Sequence, residues 1–373
     1  MSENESILDK VISSQQSALS AVFNLNHLLN HILKDLKERE ASVLSLRYGF
    51  QDNKKRTLEE IGTKFNITRE RVRQIENAAL KKVKKIADLG EQLKPLEAMV
   101  SQLLTERGGI MFHPTLVSNV AAFSDNGKNG HTAVSFILSE LLNDKFHMIK
   151  GDTDLDDSWK LPESSLLDIK KTVEVVLKVI HDAGHPLTLA EIINTINQDD
   201  LPMSYRGPAL EPVVESLLEI SRKTSANPFK EWGFSDWNSV MLKRMSDKIY
   251  LVLQKEGKPM HFTEIANKIN EIGFDGKKAN PATIHNELIL DKKYVLIGRG
   301  IYALAEWGYK PGVVSEVIEE VLREAGEPLK REEIIQKVMK RRLVKRSTII
   351  LSLTNKKRFK RVEGGRYFLA DNK

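Results

Sequence analysis

The pattern of apolar and polar positions from residue 57 to residue 83 predicts two helices joined by a tight turn. Helical spacing relates the apolar residues of the first helix, which are Leu58, Ile61 and Phe65. Thr57 and Glu60 have the spacing of a capping box, which predicts that the helix begins there. Gly62 leaves room for a second helix to come close, and Asn66 suits the turn.

The second predicted helix has one apolar and one polar face. Thr68 is a suitable N-cap, and the inward positions are Val72, Ile75 and Ala79. Two i,i+4 pairs face outward: Arg69 with Arg73, and Glu70 with Gln74. In the major groove of DNA, Arg matches the acceptors of guanine, Gln the edge of adenine and Glu the amino group of cytosine. This polar face therefore predicts a helix that reads DNA bases.

Positive charge flanks this reading helix. Residues 69–85 contain seven basic and two acidic residues, a difference of five, which would displace counterions from DNA. We expect phosphate contacts from Thr57, Thr68, Lys81, Lys82, Lys84 and Lys85. The alternative is an ordinary amphipathic hairpin whose charged face is only solvated. Agreement between caps, turn, spacing and polar face favours DNA binding.

A second motif precedes the hairpin, Leu36-Lys-Glu-Arg-Glu-Ala-Ser-Val-Leu-Ser-Leu-Arg-Tyr-Gly49. With it, residues 33–85 closely resemble region 4 of bacterial sigma-70 family factors, the part that holds the −35 element of a promoter. The resemblance implies base and phosphate contacts by Arg69, Glu70, Arg73 and Gln74, with Arg71 toward the flank. It also implies that the preceding helices pack on the reading helix and meet the flap of the RNA polymerase β subunit. Their inward anchors would be Val43, Leu44 and Tyr48.

A complete sigma factor, by the same resemblance, also carries a helical domain whose exposed aromatic residues trap unpaired bases of the −10 element. Only about thirty residues precede the match here. None of the four tryptophans lies upstream of it; they are Trp159, Trp232, Trp237 and Trp307. We therefore expect that this chain cannot melt a promoter by itself.

Downstream of Lys94-Pro95 the sequence repeats itself. Three segments share the pattern Gly-x-Pro-Leu/Met-x-x-x-Glu-Ile, and their glycines, Gly184, Gly257 and Gly326, are 73 and 69 residues apart. Each glycine follows an amphipathic helix and each Glu-Ile begins another. We expect the glycine to end the first helix and the proline to prevent its continuation.

The segments that follow these motifs also agree. Residues 283–305 parallel residues 348–370, and each predicts a third helix and then two short strands joined through a glycine turn. Asn280-Pro281 and Ser347 are suitable helix starts. Glu-Trp-Gly followed by an aromatic residue occurs at 231–234 and at 306–309, and we interpret both copies as the close of a unit.

Three helices and a two-stranded wing in about seventy residues form the winged-helix plan. The predicted fold is mainly α, with an N-terminal helix-turn-helix domain (1–90, hairpin 57–83) followed by tandem winged-helix units that each carry a small β wing. The units, numbered here first to fourth, are placed at 96–162, 166–238, 239–308 and 309–373. The first is degenerate: Gly108-Gly109 would end its first helix, 131–143 would be its third helix and 146–160 its wing.

The repeated start and the Tyr-x-Leu-Ala finish resemble the HARE type of winged helix, similar to the folded domain of the RNA polymerase delta subunit. The long acidic tail of delta is missing from this sequence. Displacement of nucleic acid in the manner of delta is therefore not implied.

The fourth unit is the most basic part of the chain. Residues 309–373 contain 17 Lys and Arg against nine Asp and Glu. One cluster leads into the third helix and the other into the wing, the elements with which a winged helix contacts phosphates. We expect DNA or RNA contacts from Lys340, Arg341, Arg342, Lys345, Arg346, Lys356, Lys357, Arg358, Lys360 and Arg361. The alternative is a solvated basic surface. The other wings are neutral or acidic and suit protein contacts or spacing.

One acidic segment has part of the spacing of a calcium loop. Its acidic residues are Asp152, Asp154, Asp156, Asp157 and Glu163. Position 6, which needs glycine for the sharp turn, is Asp157, and Pro162 stiffens the segment. We interpret it as an acidic wing tip and predict no metal site.

Composition narrows the class of protein. A length of 373 residues suggests two or more domains, and a net charge of +6 is mild, so nucleic-acid affinity needs local clusters. The absence of cysteine excludes disulfides, thiolate nucleophiles and cysteine zinc sites. The first ten residues do not have the pattern of a secretory signal, and no apolar run approaches the ~20 residues that span a bilayer. We expect a cytoplasmic, nucleoid-associated protein.

The sequence favours a non-enzymatic transcription protein that holds promoter-like double-stranded DNA and associates with RNA polymerase. The alternative is a DNA-binding regulator that never engages polymerase. Phosphate-binding Gly-rich loops, His-Glu-x-x-His motifs and Gly-x-Ser-x-Gly elbows are missing, and the nine histidines are scattered. We therefore expect neither catalysis nor a cofactor.

Overall fold

The computed structural model of the chain describes residues 24–123, 130–207, 209–274, 276–309, 313–342 and 344–370. These residues divide into two bodies. The N-terminal body runs to Ala226 and includes Lys230–Ser235, and the C-terminal body contains Asn227–Phe229 and the chain from Asp236 onward. Both are mainly helical with small antiparallel sheets, as the sequence predicted.

The N-terminal body begins with four helices. They are α1 (Leu25–Lys34), α2 (Glu38–Tyr48), α3 (Leu58–Phe65) and α4 (Arg69–Val83). Side chains cap three of their N-termini: Asn24 accepts from the His27 amide, and the two predicted threonine caps are present before α3 and α4.

The first winged-helix unit has the predicted third helix and wing. Its elements are α5 (Leu89–Glu106), β1 (Ile110–Phe112), α6 (His113–Ala122), α7 (Gly130–Phe136), β2 (His147–Ile149) and β3 (Ser158–Lys160). A π-helical turn, Ile137–Leu141, extends α7. Gly108 and Gly109 follow α5 with φ of 73° and 80°, so they end the helix as expected. Pro95 lies inside α5, which runs through the predicted junction between residues 90 and 96.

The other three units repeat this order of elements. The second contains α8 (Leu166–Ala183), β4 (Leu187–Thr188), α9 (Leu189–Thr195), α10 (Leu210–Ile220), β5 (Thr224–Ala226) and β6 (Glu231–Phe234). The third contains α11 (Met245–Glu256), β7 (Met260–His261), α12 (Phe262–Ile272), α13 (Pro281–Leu290), β8 (Tyr294–Gly298) and β9 (Ile301–Leu304). The fourth contains α14 (Val314–Ala325), β10 (Leu329–Lys330), α15 (Arg331–Arg341), α16 (Arg346–Leu353), β11 (Phe359–Arg361) and β12 (Arg366–Leu369).

Each unit has a three-stranded antiparallel sheet of the same topology. The last strand lies in the middle, between the short strand that follows the first helix and the other wing strand. The predicted helix stops are confirmed, because Gly184, Gly257 and Gly326 cap α8, α11 and α14 with φ between 63° and 69°.

Two predicted details differ from the structure. Helix α16 begins at Arg346 with Lys345 as N-cap, so Ser347 is its second residue and not its start. The two Glu-Trp-Gly copies are also not equivalent. The copy at 231–234 forms strand β6, in the middle of its sheet, whereas the copy at 306–309 follows β9 and begins in a 3₁₀ turn. A shared tripeptide did not determine the conformation, because the copy at 231–234 pairs with strands β4 and β5 on either side, and the copy at 306–309 lies after the last strand of its sheet.

The helix-turn-helix domain and the first winged-helix unit share one hydrophobic core. Buried residues of α1, α2 and α4 continue without a break into those of α5, α7 and β3; they include Leu28, Ile32, Leu44, Val83, Leu96, Leu104, Phe136 and Trp159. Burial of each such apolar side chain contributes ~1.5–3 kcal/mol to the free energy of folding. These two parts therefore form a single packed structure.

The second unit is attached to the first by its own set of contacts. The hydroxyl of Tyr205 donates to the carbonyl of Gly108 at 2.9 Å, and the buried hydroxyl of Ser216 donates to the carbonyl of Ile110 at 2.5 Å. Each bond satisfies a polar group that would otherwise lose its water at the junction. In the part of the chain that the structure describes, no helix is both long and apolar enough to cross a membrane.

Candidate nucleic-acid interface

The turn between α3 and α4 is built as the sequence predicted. Thr57 and Glu60 form a reciprocal capping box: the Glu60 amide donates to the Thr57 hydroxyl at 3.2 Å, and the Thr57 amide donates to the Glu60 carboxylate at 2.7 Å. Asn66 ends α3 in the left-handed conformation with φ of 53°. A Cβ on Gly62 would lie 2.7 Å from the carbonyl oxygen of Ile67, so only glycine allows this close approach.

The apolar face of α4 is buried against the other helices. Val72 is fully buried with Val43 and Ile61, and the partly buried Ile75 packs on the same cluster. Ala79 is fully buried in the shared core. The five predicted readers are exposed on α4; they are Arg69, Glu70, Arg71, Arg73 and Gln74. Burial of one face thus fixes which side chains project from the other.

In the free protein the reading side chains pair with each other at i,i+3. Both Nε and Nη2 of Arg73 donate to the carboxylate of Glu70, at 2.8 and 2.7 Å. The Arg73 guanidinium holds the pKa of Glu70 below its usual value. Arg71 donates to the side-chain oxygen of Gln74 at 3.1 Å. A base that binds Arg73 must therefore compete with Glu70, in a solvated and easily exchanged pair.

The residues expected to contact DNA phosphates differ in the hydrogen bonds and ion pairs that they already form within the protein. Thr57 accepts from one group and donates its hydroxyl hydrogen to Glu60 at 2.9 Å, whereas Thr68 only accepts, from the Arg71 amide at 3.2 Å. Lys82 forms an ion pair with Glu40 of α2 at 2.7 Å. Three lysines are exposed without such a pair among the described residues: Lys81, Lys84 and Lys85. Thr68 and these three lysines are therefore better placed for phosphates than Thr57 and Lys82.

A buried carboxylate on α4 was missed by sequence reasoning. Glu76 is one of the two acidic residues in the charge balance of residues 69–85, but it is only 9% exposed and accepts from Arg47 at 3.3 Å and from Tyr48 at 3.2 Å. Burial and the carboxylates of Glu140 and Glu76 raise the pKa of Tyr48 well above its usual value. The available signal was its spacing, because Glu76 lies four residues after Val72 and three before Ala79 and so shares their inward face. The anchor Tyr48 thus fixes α4 through its hydroxyl.

The ten basic residues of the fourth unit do not form one free surface. Three of the arginines are paired with glutamates of the same unit: Arg341 with Glu324, Arg346 with Glu332, and Arg358 with Glu319. Lys360 also has a partner. Five of the ten are exposed and have no ion pair within the described chain: Lys340, Lys345, Lys356, Lys357 and Arg361.

Arg342 connects the fourth unit to the third. Its guanidinium donates to the carbonyl of Leu296 in strand β8 at 3.4 Å, and burial lowers its pKa. It lines a groove of about 950 Å³ with Arg299 of the third wing and with Lys345 and Thr348 at the start of α16. The first basic cluster therefore lies beside the preceding wing, and Arg342 is engaged there.

The acidic segment of the first wing binds the second unit. Three of its five carboxylates form ion pairs at 2.7–2.8 Å: Asp152 with Lys170, Asp154 with Lys223, and Asp156 with Arg222. Leu155, 1% exposed, bridges to Ser221 as in a β-sheet. The paired aspartates lie in the loop between β2 and β3, as predicted for a wing tip. They neutralise basic side chains of the second unit. No cluster able to hold a metal ion is found among the described residues.

The N-terminal part of the chain matches known proteins. Residues 32–85 match the family model of sigma-70, region 4. The helix-turn-helix is sigma-70-like. The chain is 44% identical over 86 residues to the RNA polymerase sigma factor SigA of a Bacillus species, which covers 22% of this chain and 23% of that protein. It is 53% identical over 60 residues to SigA of Clostridium acetobutylicum, 16% of each chain.

A further similar protein is SigA of Microcystis aeruginosa, 55% identical over 56 residues, which is 15% of this chain and 14% of that protein. The chain thus spans less than a quarter of the length of these sigma factors. The matches support a sigma-factor-like, DNA-binding role in transcription for the N-terminal part.

Proposed function

We propose that this protein holds −35-type promoter DNA with α4 and associates with RNA polymerase during transcription initiation. The observation that carries the proposal is the exposed polar face of α4, whose Arg69, Glu70, Arg73 and Gln74 project from a helix buried along its other face. Such side chains match the donors and acceptors of the major groove. The similarity of residues 32–85 to sigma-70 region 4 supports the same role.

Phosphate contacts complete the interface. Thr68 at the N-terminus of α4 and the exposed lysines near its C-terminus, Lys81, Lys84 and Lys85, lie at the two ends of the reading face. Contacts to DNA phosphates fix the register of a helix in the major groove. They also supply most of the salt dependence of DNA binding.

Association with RNA polymerase is the finer part of the proposal. Support comes from the relatives, which are RNA polymerase sigma factors. Contact with the β flap is proposed from the resemblance alone. The α1–α2 helices that would make it also form part of the core shared with the first winged-helix unit. Polymerase contacts of these helices must therefore use side chains outside that core.

The later winged helices are proposed to be HARE-like and to extend the nucleic-acid contacts. In the fourth unit, we assign phosphate contacts to the exposed lysines Lys340, Lys345, Lys356 and Lys357, and a structural role to the paired arginines. We also propose that the protein acts by binding and not by catalysis, without a cofactor.

Co-purification of RNA polymerase and sequence-specific DNA binding, measured on the same protein, together test the function. The full chain, tagged and purified from its host, is probed for RNA polymerase subunits after a nuclease treatment that removes bridging DNA. The Arg73→Ala variant is the control, because it should lose DNA discrimination and keep polymerase. Polymerase in both samples supports the proposal. Sequence-specific DNA binding with no polymerase in either sample would favour the alternative, a regulator that does not engage polymerase.

A further inference from the structure

A small cavity lies where the helix-turn-helix domain meets the first winged-helix unit. It has a volume of about 310 Å³, at the lower end of the range of ligand pockets. Its lining comes from the loop before α3, from the start of α6 and from α7: Lys55, His113, Pro114, Val117, Ser118, His131, Thr132 and Ser135. None of these residues is acidic, and six of the eight carry a polar side chain.

The hydrogen-bond network behind the cavity fixes the proton of His113. The indole of Trp159 can only donate, and its Nε1 lies 2.8 Å from Nδ1 of His113. Nδ1 must therefore accept, which places the proton of the neutral ring on Nε2. Burial, followed by the positive charge of Lys55, lowers the pKa of His113, which favours this neutral form.

The same network leaves a hydroxyl hydrogen directed away from the histidine. Nε2 of His113 donates to the hydroxyl of Ser135 at 3.1 Å, and Ser135 is only 8% exposed. Ser135 therefore accepts in this bond, and its own hydrogen has no acceptor among the described residues. A buried donor of this kind needs an acceptor, which a ligand in the cavity would supply.

Further donors surround the cavity. Ser118 and His131 share a hydrogen bond of 3.3 Å, and both are exposed to solvent. The hydroxyl of Thr132 lies 3.2 Å from the carbonyl of Gly49 and 3.1 Å from the side chain of Asn53, so the loop that carries Lys55 is tied to α7. These two bonds keep the loop beside α7, and Lys55 of this loop lines the cavity.

We propose that this cavity binds a phosphate group through Lys55, Ser135 and the Ser118–His131 pair. An ammonium ion and several hydroxyl or imidazole donors, with no carboxylate among the lining residues, match an anion that offers several acceptor oxygens. Lys55 lies three residues before the start of α3, so a backbone phosphate of DNA bound at α4 is one source of the group. A free phosphate is the other.

Titration of the full chain with inorganic phosphate tests the cavity, with the ring nitrogens of His113 and His131 followed by NMR. Lys55→Ala is the test variant, and Lys54→Ala, an exposed neighbour on the same loop outside the cavity lining, is the charge-matched control. We expect saturable shifts in the wild type and in Lys54→Ala, and affinity about tenfold weaker in Lys55→Ala, as for the loss of one charge-assisted hydrogen bond.

Duplex binding distinguishes the two sources. If the group belongs to DNA, which rests on the proposed function, Lys55→Ala lowers duplex affinity more than Lys54→Ala and reduces the salt slope by about 0.9. If it is a free anion, both variants bind duplex equally while only Lys55→Ala loses inorganic phosphate. If phosphate shifts the histidine ring nitrogens identically in both variants, and both variants have the same affinity for duplex DNA, the proposed phosphate site is wrong. The proposed function would fail on a different result, which is equal affinity of the wild type for a selected and a scrambled DNA duplex.

Discussion

The hydroxyl of Tyr48 donates to Oε1 of Glu76 at 3.2 Å, while its ring packs edge-on against Phe136 at 4.6 Å between centroids. One side chain of α2 therefore contacts both the reading helix and the first winged-helix unit. The orientation of α4 depends on this contact and on the core beneath it, so residues far from DNA influence the reading face.

Replacement of Tyr48 separates its two contacts. Tyr48→Phe removes the hydrogen bond to Glu76 and keeps the packing, so we expect a loss of about 1 kcal/mol in the free energy of unfolding. Tyr48→Ala also removes the packing on Phe136 and should cost about 3–5 kcal/mol. Denaturant unfolding of both variants measures the difference. Equal losses would show that the ring packing contributes nothing.

Gly62 tests the close approach within the turn. Gly62→Ala places a Cβ 2.7 Å from the backbone oxygen of Ile67, so we expect destabilisation of about 1–3 kcal/mol and weaker DNA binding. Gly90→Ala is the matched control, because nothing lies within 4 Å of its Cβ and alanine favours the helix by about 0.5–1 kcal/mol. If thermal melting finds Gly62→Ala as stable as the wild type, the turn geometry is incorrect.

His113 predicts how stability depends on pH. Because its pKa is lowered in the folded state, the unfolded chain takes up a proton first as the pH falls below the ordinary value of 6.5. The contribution of His113 is therefore present above that pH and is lost as the pH falls toward the lowered pKa. Melting temperatures at about pH 7.5 and about pH 5.5 should differ less in His113→Gln than in the wild type. An equal difference in both proteins would contradict the neutral assignment.

The acidic loop of the first wing predicts a salt-dependent effect. The triple change of Asp152, Asp154 and Asp156 to Asn keeps the shape of the loop and removes its three ion pairs. We expect a lower melting temperature at low ionic strength and little difference from the wild type in about 1 M salt, where such pairs are screened. Glu163→Gln, on an exposed side chain, should have no effect at either salt concentration. A loss of stability independent of salt would point to altered loop structure.

Local features were predictable from the sequence, and contacts between modules were not. The capping box at Thr57, the turn at Asn66 and the glycine helix stops involve residues a few positions apart, where spacing and residue type decide the conformation. The acidic wing loop was recognised, but its partners Lys170 and Arg222 were not, because they lie up to 66 residues away.

The same limitation explains the candidate site. The reading face followed from the period of α4, whereas the buried Glu76 and the pairing of Lys82 with Glu40 depend on α2, which the pattern of α4 does not describe. In the fourth unit, the count of basic residues included three arginines that the structure shows in ion pairs with Glu319, Glu324 and Glu332. Charge counts predict the sign of a surface but not which charges remain available.

The most direct test compares binding of the full chain to a duplex that it selects from a random library and to the scrambled duplex. We expect the wild type to prefer the selected duplex, and Arg73→Ala or Gln74→Ala to lose about 1–3 kcal/mol of that discrimination. Lys84→Ala should instead weaken both duplexes equally and reduce the salt dependence. Equal affinity of the wild type for selected and scrambled DNA would contradict the reading role of α4.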